Sequence, residues 1–175
     1  MTDASAVQAL LTDSFERVHD LVGSLTDDLP VEVSTYRPDA EANSIGWLIW
    51  HLSRVQDDHV AGVAGSEQVW TTQGWADRFG LPFPVGAIGY GHSSDDVAQV
   101  RVDSPELLTG YYDAVAARTL EYVGGLTDDD LDRVVDEAWD PPVTLGVRLV
   151  SVIDDCAQHA GQAAFVRGIV ERLGQ

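Results

Sequence analysis

SVIDDCAQHAGQAAFVRG, residues 151–168, decides how this chain is read. It sets Asp155 and His159 four residues apart within an apolar repeat of Leu145, Leu149, Val152, Cys156, Ala163, Val166 and Val170. Four residues make one helical turn, so the carboxylate and the imidazole leave the same face, about 6 Å apart at their bases. His159 falls on the apolar stripe. Burying a carboxylate and an imidazole is costly unless a partner satisfies both. A divalent metal is one such partner, and a hydrogen-bonded Asp-His pair capping a neighbouring element is the other.

Working outward, helical periodicity runs from about Ala4 to Leu25, with Val7, Leu11, Val18, Leu21 and Val22 on one side. A second helix, capped by Asn43 or Ser44, runs to about Gly62 as IGWLIWHLSRVQDDHVAG and carries His51 among apolar neighbours. A third spans about Ser104 to Gly124, with Pro105 in its first turn. The fourth begins after Thr144 and holds Asp155 and His159. No alternating segment is long enough to predict a sheet, so the fold class is all-α, a four-helix bundle in a single domain over residues 1–175. Between the second and third helices, residues 64–103 scatter Trp70, Trp75, Phe79, Phe83 and Tyr90 among glycines and prolines. This long aromatic-rich connection reads either as a lid or pocket wall with a short helix or two, or as a packed crossover.

The first and third helices end in GSLTDDLP and GGLTDDDLD, and the helices that follow open on Ser44-Ile45-Gly46 and Thr144-Leu145-Gly146. Counted from those glycines, His59 matches His159, His51 matches Ser151, and Val55 matches Asp155. The second and fourth helices therefore read as pseudo-symmetric partners. If they face each other, His51 can meet Asp155 and His159. Two histidines and a carboxylate leave a position open for water or substrate, the arrangement of a catalytic zinc, and Fe(II), Ni(II) or Mn(II) suits the same donors.

With 29 acidic against 10 basic residues the net charge is -19, which argues against nucleic acid and anionic membranes as partners. All ten basic residues are arginines, which excludes every chemistry that needs a lysine, from Schiff bases to the P-loop. The chain shows neither a membrane span nor the order of a signal peptide, and the expected location is the cytoplasm. Cys156 reads as core, because the neighbouring Asp155 opposes a thiolate. Arg54 and Arg148 read either as solvated or salt-bridged arginines or as candidates for the bundle mouth, Asp57 and Asp58 as a solvated face or substrate contact, and His59 as a core or rim histidine. His19 and His92 have no convergent partner in the sequence pattern.

NSIGWLIWHLSRVQDDHVAG, the aromatic segment ending in GYGH, and DDCAQHAGQAAFVRG together resemble the DinB-like superfamily, and within it the mycothiol-dependent S-transferases and maleylpyruvate isomerases. The resemblance covers nearly the whole chain. It implies a divalent metal, commonly zinc, on His51, Asp155 and His159, with aspartate standing where histidine or glutamate is usual. It further implies transfer of the sulfur of mycothiol to a small electrophile, rather than maleylpyruvate isomerisation, which belongs to longer chains with a second domain. Asp58, Gln162 and Arg167 follow the ligand faces within two turns and are the candidate contacts for the hydroxyl-rich thiol. A metal-dependent hydrolase on the same bundle and a non-catalytic binding bundle are the alternatives, and a homodimer is left open.

Overall fold

The computed structural model describes residues 5–174. Helix α1 (Ala6–Thr26) opens on a reciprocal cap in which Ser5 accepts from the Gln8 amide and the Gln8 side chain accepts from the Ser5 amide. Ala4, where the sequence pattern starts this helix, lies outside the described residues. A single turn, α2 (Val31–Ser34), leads to α3 (Ile45–Ala64), whose first turn is capped by the Ser44 hydroxyl accepting from Trp47 N. Three short helices follow, α4 (Val69–Thr72), α5 (Trp75–Phe79) and α6 (Ser94–Gln99). Then come α7 (Glu106–Val123), strands β1 (Val134–Asp136) and β2 (Val143–Thr144), and the long α8 (Leu145–Leu173).

Helices α1, α3, α7 and α8 form the bundle. Helix α3 packs most extensively on α8 and also on α7, while α1 packs on α7 and α8. Helix α3 is the central element: every residue from Ile45 to Asp57 is buried. On α8 the buried stripe is Leu145, Leu149, Val152, Cys156, Ala160, Ala163, Val166 and Val170, the 3.6-residue repeat that the sequence displays. Its small members, Ala160 and Ala163, leave room for a close approach of the neighbouring helix.

The expectation of no sheet is corrected by a two-stranded antiparallel ribbon that pairs Val134 with Thr144 and Asp136 with Val143. Two and three residues are too few to establish a period of two, so no sequence pattern announces such a ribbon. The aromatic connection is a packed crossover over α4 and α5. Trp70, Trp75 and Phe79 are buried, with ring centroids 5.1, 5.7 and 5.9 Å from that of Tyr111 on α7.

A buried polar cluster fastens this crossover to α3. The Asp57 carboxylate accepts from Val69 N at 3.0 Å and Trp70 N at 2.9 Å, which caps α4, and from the Tyr111 hydroxyl at 2.8 Å. Arg54, fully buried, lies 3.6 Å from Asp57 and donates to Gln68 Oε1, the Tyr111 hydroxyl and the Ala87 carbonyl. Asp57 departs from the solvated-face reading, while Arg54 is the salt-bridged arginine that the sequence also allows. Arg54 does not reach the bundle mouth, and Asp57 is not on a solvated face: the α4 amides and the Tyr111 hydroxyl satisfy the carboxylate, while Gln68, Tyr111 and the Ala87 carbonyl accept from the guanidinium, whose Nη2 keeps no partner among the described residues.

Candidate metal centre

His51 on α3 and Asp155 and His159 on α8 converge, each offering a ligand atom, with all three atoms within 4.8 Å of one another. Small side-chain rotations from that spacing bring three donors to the roughly 2.0–2.2 Å reach of one zinc ion. The imidazoles of His51 and His159 stand edge to face, with centroids 4.7 Å apart. Trp47, one turn before His51, stacks on it at 4.6 Å and donates its indole N–H to His92 Nδ1 at 3.2 Å. His92 thus has a partner that spacing did not reveal. It supports the tryptophan that walls the site.

Backbone carbonyls set both imidazole tautomers. His51 Nδ1 bonds the carbonyl of Ile88, and His159 Nδ1 bonds the carbonyl of Asp155 at 2.8 Å. A carbonyl only accepts, so Nδ1 carries the proton in each ring and Nε2 keeps its lone pair for a ligand. Asp155 Oδ2 is buried with no hydrogen-bond partner among the described residues, at 3.4 Å from a His159 Nδ1–H already given to the backbone. An orphaned carboxylate oxygen beside two free imidazole nitrogens is the donor set a divalent cation completes.

Electrostatics act differently on the two imidazoles. Burial is the main influence on His51 and holds its pKa below the ordinary imidazole value, which keeps the ring neutral. For His159 the Asp155 side chain outweighs burial and raises the pKa. Burial pushes the Asp155 carboxyl up, but His159, His51 and His59 together hold it below the usual carboxylate value. Cys156 is fully buried, and burial and then Asp155 push its thiol well up, so it packs as core and offers no thiolate.

The segment that closes over His51 requires glycine. At Gly89, with φ of +92°, an added Cβ would lie 2.6 Å from His51 Nδ1 and 3.1 Å from the Trp50 ring. Arg54 donates to the Ala87 carbonyl while His51 bonds Ile88, so two residues one turn apart on α3 hold consecutive peptides of this strap. The GYGH stretch flagged it in the sequence. Its function as a brace for His51 is a tertiary fact.

A pocket of about 360 Å³ opens beside the centre, bounded by His51, Asp155, Val55, Ile88, Val147 and Arg148, with Tyr90 and Trp139 at its wall. Only Ile88 and Tyr90 of the aromatic connection reach it. Val143, Trp139 and Asp136 come instead from the β1–β2 ribbon and its turn, between α7 and α8. Of the pseudo-symmetric positions, His51 and Ser151, Val55 and Asp155, and His59 face this pocket, whereas His159, the counterpart of His59, does not line it.

The candidate thiol contacts divide. Asp58 lies on a neighbouring groove, accepts from Gln68 Nε2 at 2.7 Å, and stands next to His59. Arg148 donates to His59 Nδ1 at 3.2 Å and to Asp136 at 3.0 Å, so His59 is a neutral acceptor there; burial and the Arg148 charge lower its pKa. Gln162 is exposed and lines neither space. Arg167 is corrected: its guanidinium donates to the carbonyls of Ser24, Leu25 and Asp27 and to Glu171, tying α8 to the end of α1. The last carbonyls of a helix lack partners, and Arg167 supplies them, a role that its spacing from His159 could not disclose. His19 sits at the surface, 2.8 Å from Asp113.

A crystal structure described as a conserved protein of a locus from Enterococcus faecalis superposes with a TM-score of 0.90 at 32% identity, covering 98% of this chain and all of that one. No curated protein matches the sequence. The all-α bundle is thus of the DinB-like kind. The family described as mycothiol S-transferase matches residues 6–172, nearly the whole described chain, and the chain belongs to that family.

Proposed function

We propose that the protein is a metal-dependent S-transferase that joins mycothiol to a small apolar electrophile. The observation that carries this reading is the unpartnered Asp155 Oδ2 beside the two imidazoles whose Nδ1 atoms are tied to carbonyls. His51, Asp155 and His159 would hold the ion, zinc being the first candidate among Zn(II), Fe(II), Ni(II) and Mn(II). A divalent cation at such a centre lowers the pKa of a nearby thiol, which makes the sulfur a nucleophile at neutral pH.

The surrounding residues do the rest. Val55, Ile88, Val143 and Val147 line the pocket with apolar surface that receives the electrophile and keeps water away from it. The reaction forms a carbon–sulfur bond and breaks the bond to the leaving group, which departs with the electron pair, while the thiol proton passes to solvent. Asp155 anchors one end of the site, its Oδ2 3.4 Å from Nδ1 of His159 on the same helix. The Ile88 carbonyl fixes the His51 ring from the other side.

The test is turnover of one electrophile with mycothiol, glutathione, bacillithiol and free cysteine, run beside metal analysis of the wild type and His51→Ala. Mycothiol should be strongly preferred, and His51→Ala should lose both metal and activity. Consumption of the electrophile without any thiol would replace the transferase with a hydrolase. A metal-free wild type of full activity would remove the centre from the mechanism.

A further inference from the structure

We propose that the groove beside the metal pocket is a subsite for the uncharged, hydroxyl-rich headgroup of the thiol cosubstrate; this rests on the transferase reading above. The groove, about 540 Å³ in volume, is bounded by Asp58, His59, Gly62, Gln68, Arg133 and Arg148. His59 and Arg148 belong equally to the wall of the metal pocket, so the two spaces share a side. From His51 to His59 is eight residues of α3, about 12 Å along the axis. That is the length of roughly three to four residues of extended chain, which a cysteinyl amide joined to a sugar ring spans.

The polar inventory selects the ligand class. Arg133 commits Nη2 to the Val63 carbonyl and the Tyr122 hydroxyl, leaving Nε and Nη1 without a protein partner among the described residues. Arg148 uses one N–H of each Nη on His59 and Asp136, which leaves Nε–H and the second hydrogen of each Nη. With Nδ1 of His59 accepting from Arg148, its Nε2 carries the remaining N–H. On the acceptor side, Asp58 gives Oδ1 to Gln68 and stands 3.7 Å from His59 through Oδ2, beyond hydrogen-bond range. Donors and an acceptor thus line one groove. Hydroxyl groups, each donor and acceptor at once, match such a wall, whereas a carboxylate-bearing headgroup would meet Asp58.

Charge acts in the same direction. Arg148 is compensated by Asp136 at 3.0 Å, Asp58 stands on the same groove, and the whole protein carries a net charge of -19. An anionic headgroup such as that of glutathione is repelled at long range, and a neutral polyol is not. The metal pocket, with its valines, isoleucine and tryptophan, is left for the electrophile.

Gly62 provides the test. It lies on the groove within α3, and an added Cβ there would meet nothing within 4 Å. Leucine has the better helix propensity, so Gly62→Leu fills the groove while keeping the fold. The probe is the sulfur-free headgroup, N-acetylglucosaminyl inositol, with binding read by saturation-transfer NMR on metal-loaded protein. The wild type should bind it, and Gly62→Leu should weaken binding about ten-fold or more with metal content unchanged. In turnover, the same variant should raise KM for mycothiol and leave KM for N-acetylcysteine as it was. Failure of the wild type to bind the headgroup, or equal binding by both proteins, overturns the subsite. Failure of the transferase reading shows separately, as absence of thiol consumption by a wild type that still binds the headgroup.

Discussion

Replacing Gly89 by alanine should damage the metal centre although residue 89 offers no ligand. The added methyl would stand 2.6 Å from His51 Nδ1 and 3.2 Å from Cγ of the same ring. An ordinary contact is about 3.5 Å or more, so the imidazole, the strap or both must move by roughly 1 Å. Trp50 blocks one escape at 3.1 Å, and the strap is held by the bonds to Ala87 and Ile88. Either movement misdirects Nε2 or breaks the bond that orients it, and loss of such support costs about 10- to 100-fold in metal affinity. Alanine at a φ of +92° adds a backbone penalty of about 1–2 kcal/mol, worth roughly 2–8 °C in melting temperature for a chain of this size. Gly91→Ala separates the two effects, since Gly91 also has positive φ, +75°, but nothing within 4 Å of its Cβ. Titration of the metal-free proteins with zinc against a chromophoric chelator, together with thermal melts, is the assay. Both variants should melt lower, and only Gly89→Ala should bind zinc more weakly. Wild-type zinc affinity in Gly89→Ala would refute the brace.

Further outcomes follow from the same geometry. Asp155 raises the pKa of His159, so in metal-free protein the ring keeps its proton to higher pH than an ordinary imidazole. Zinc affinity should therefore fall as pH drops through that pKa, with His51, whose pKa is lowered, adding its loss only in more acid solution. Asp155→Asn should lower the His159 titration midpoint followed by NMR, and an unchanged midpoint would contradict the pairing. Asp57→Ala strips α4 of its cap and leaves buried Arg54 without its carboxylate, a loss of about 3–5 kcal/mol that should depress the melting temperature by roughly 10 °C; a shift near zero would show that water replaces the carboxylate. Cys156 should resist iodoacetamide in the native protein and react fully in denaturant, and rapid native labelling would disprove its burial.

The brace at Gly89 also marks where sequence reading stops. Periodicity was enough for α8, because Leu145, Leu149, Val152 and Cys156 recur at the helical repeat and Asp155 and His159 share a face by spacing alone. The same logic located α1, α3 and α7 to within about two residues at each end, and counting from Gly46 and Gly146 paired His51 with Ser151 and Val55 with Asp155, which face one pocket. These are local properties: a helix is made from its own backbone, and its face follows from 3.6 residues per turn.

What crosses between segments was not written locally. The partner of the Arg167 guanidinium is the end of α1, 140 to 143 positions away, and no spacing on α8 could distinguish that role from substrate contact. The Ile88 carbonyl that orients His51 is a backbone atom and leaves no residue signature at all. Asp57 and Arg54 read as surface charge until Val69, Trp70 and Tyr111 are folded around them. The ligand types and the helices bearing them belong to the sequence, since composition and periodicity act within one turn or two. Their convergence, their tautomers and the groove beside them belong to the tertiary structure, because these depend on which backbone groups packing brings into contact.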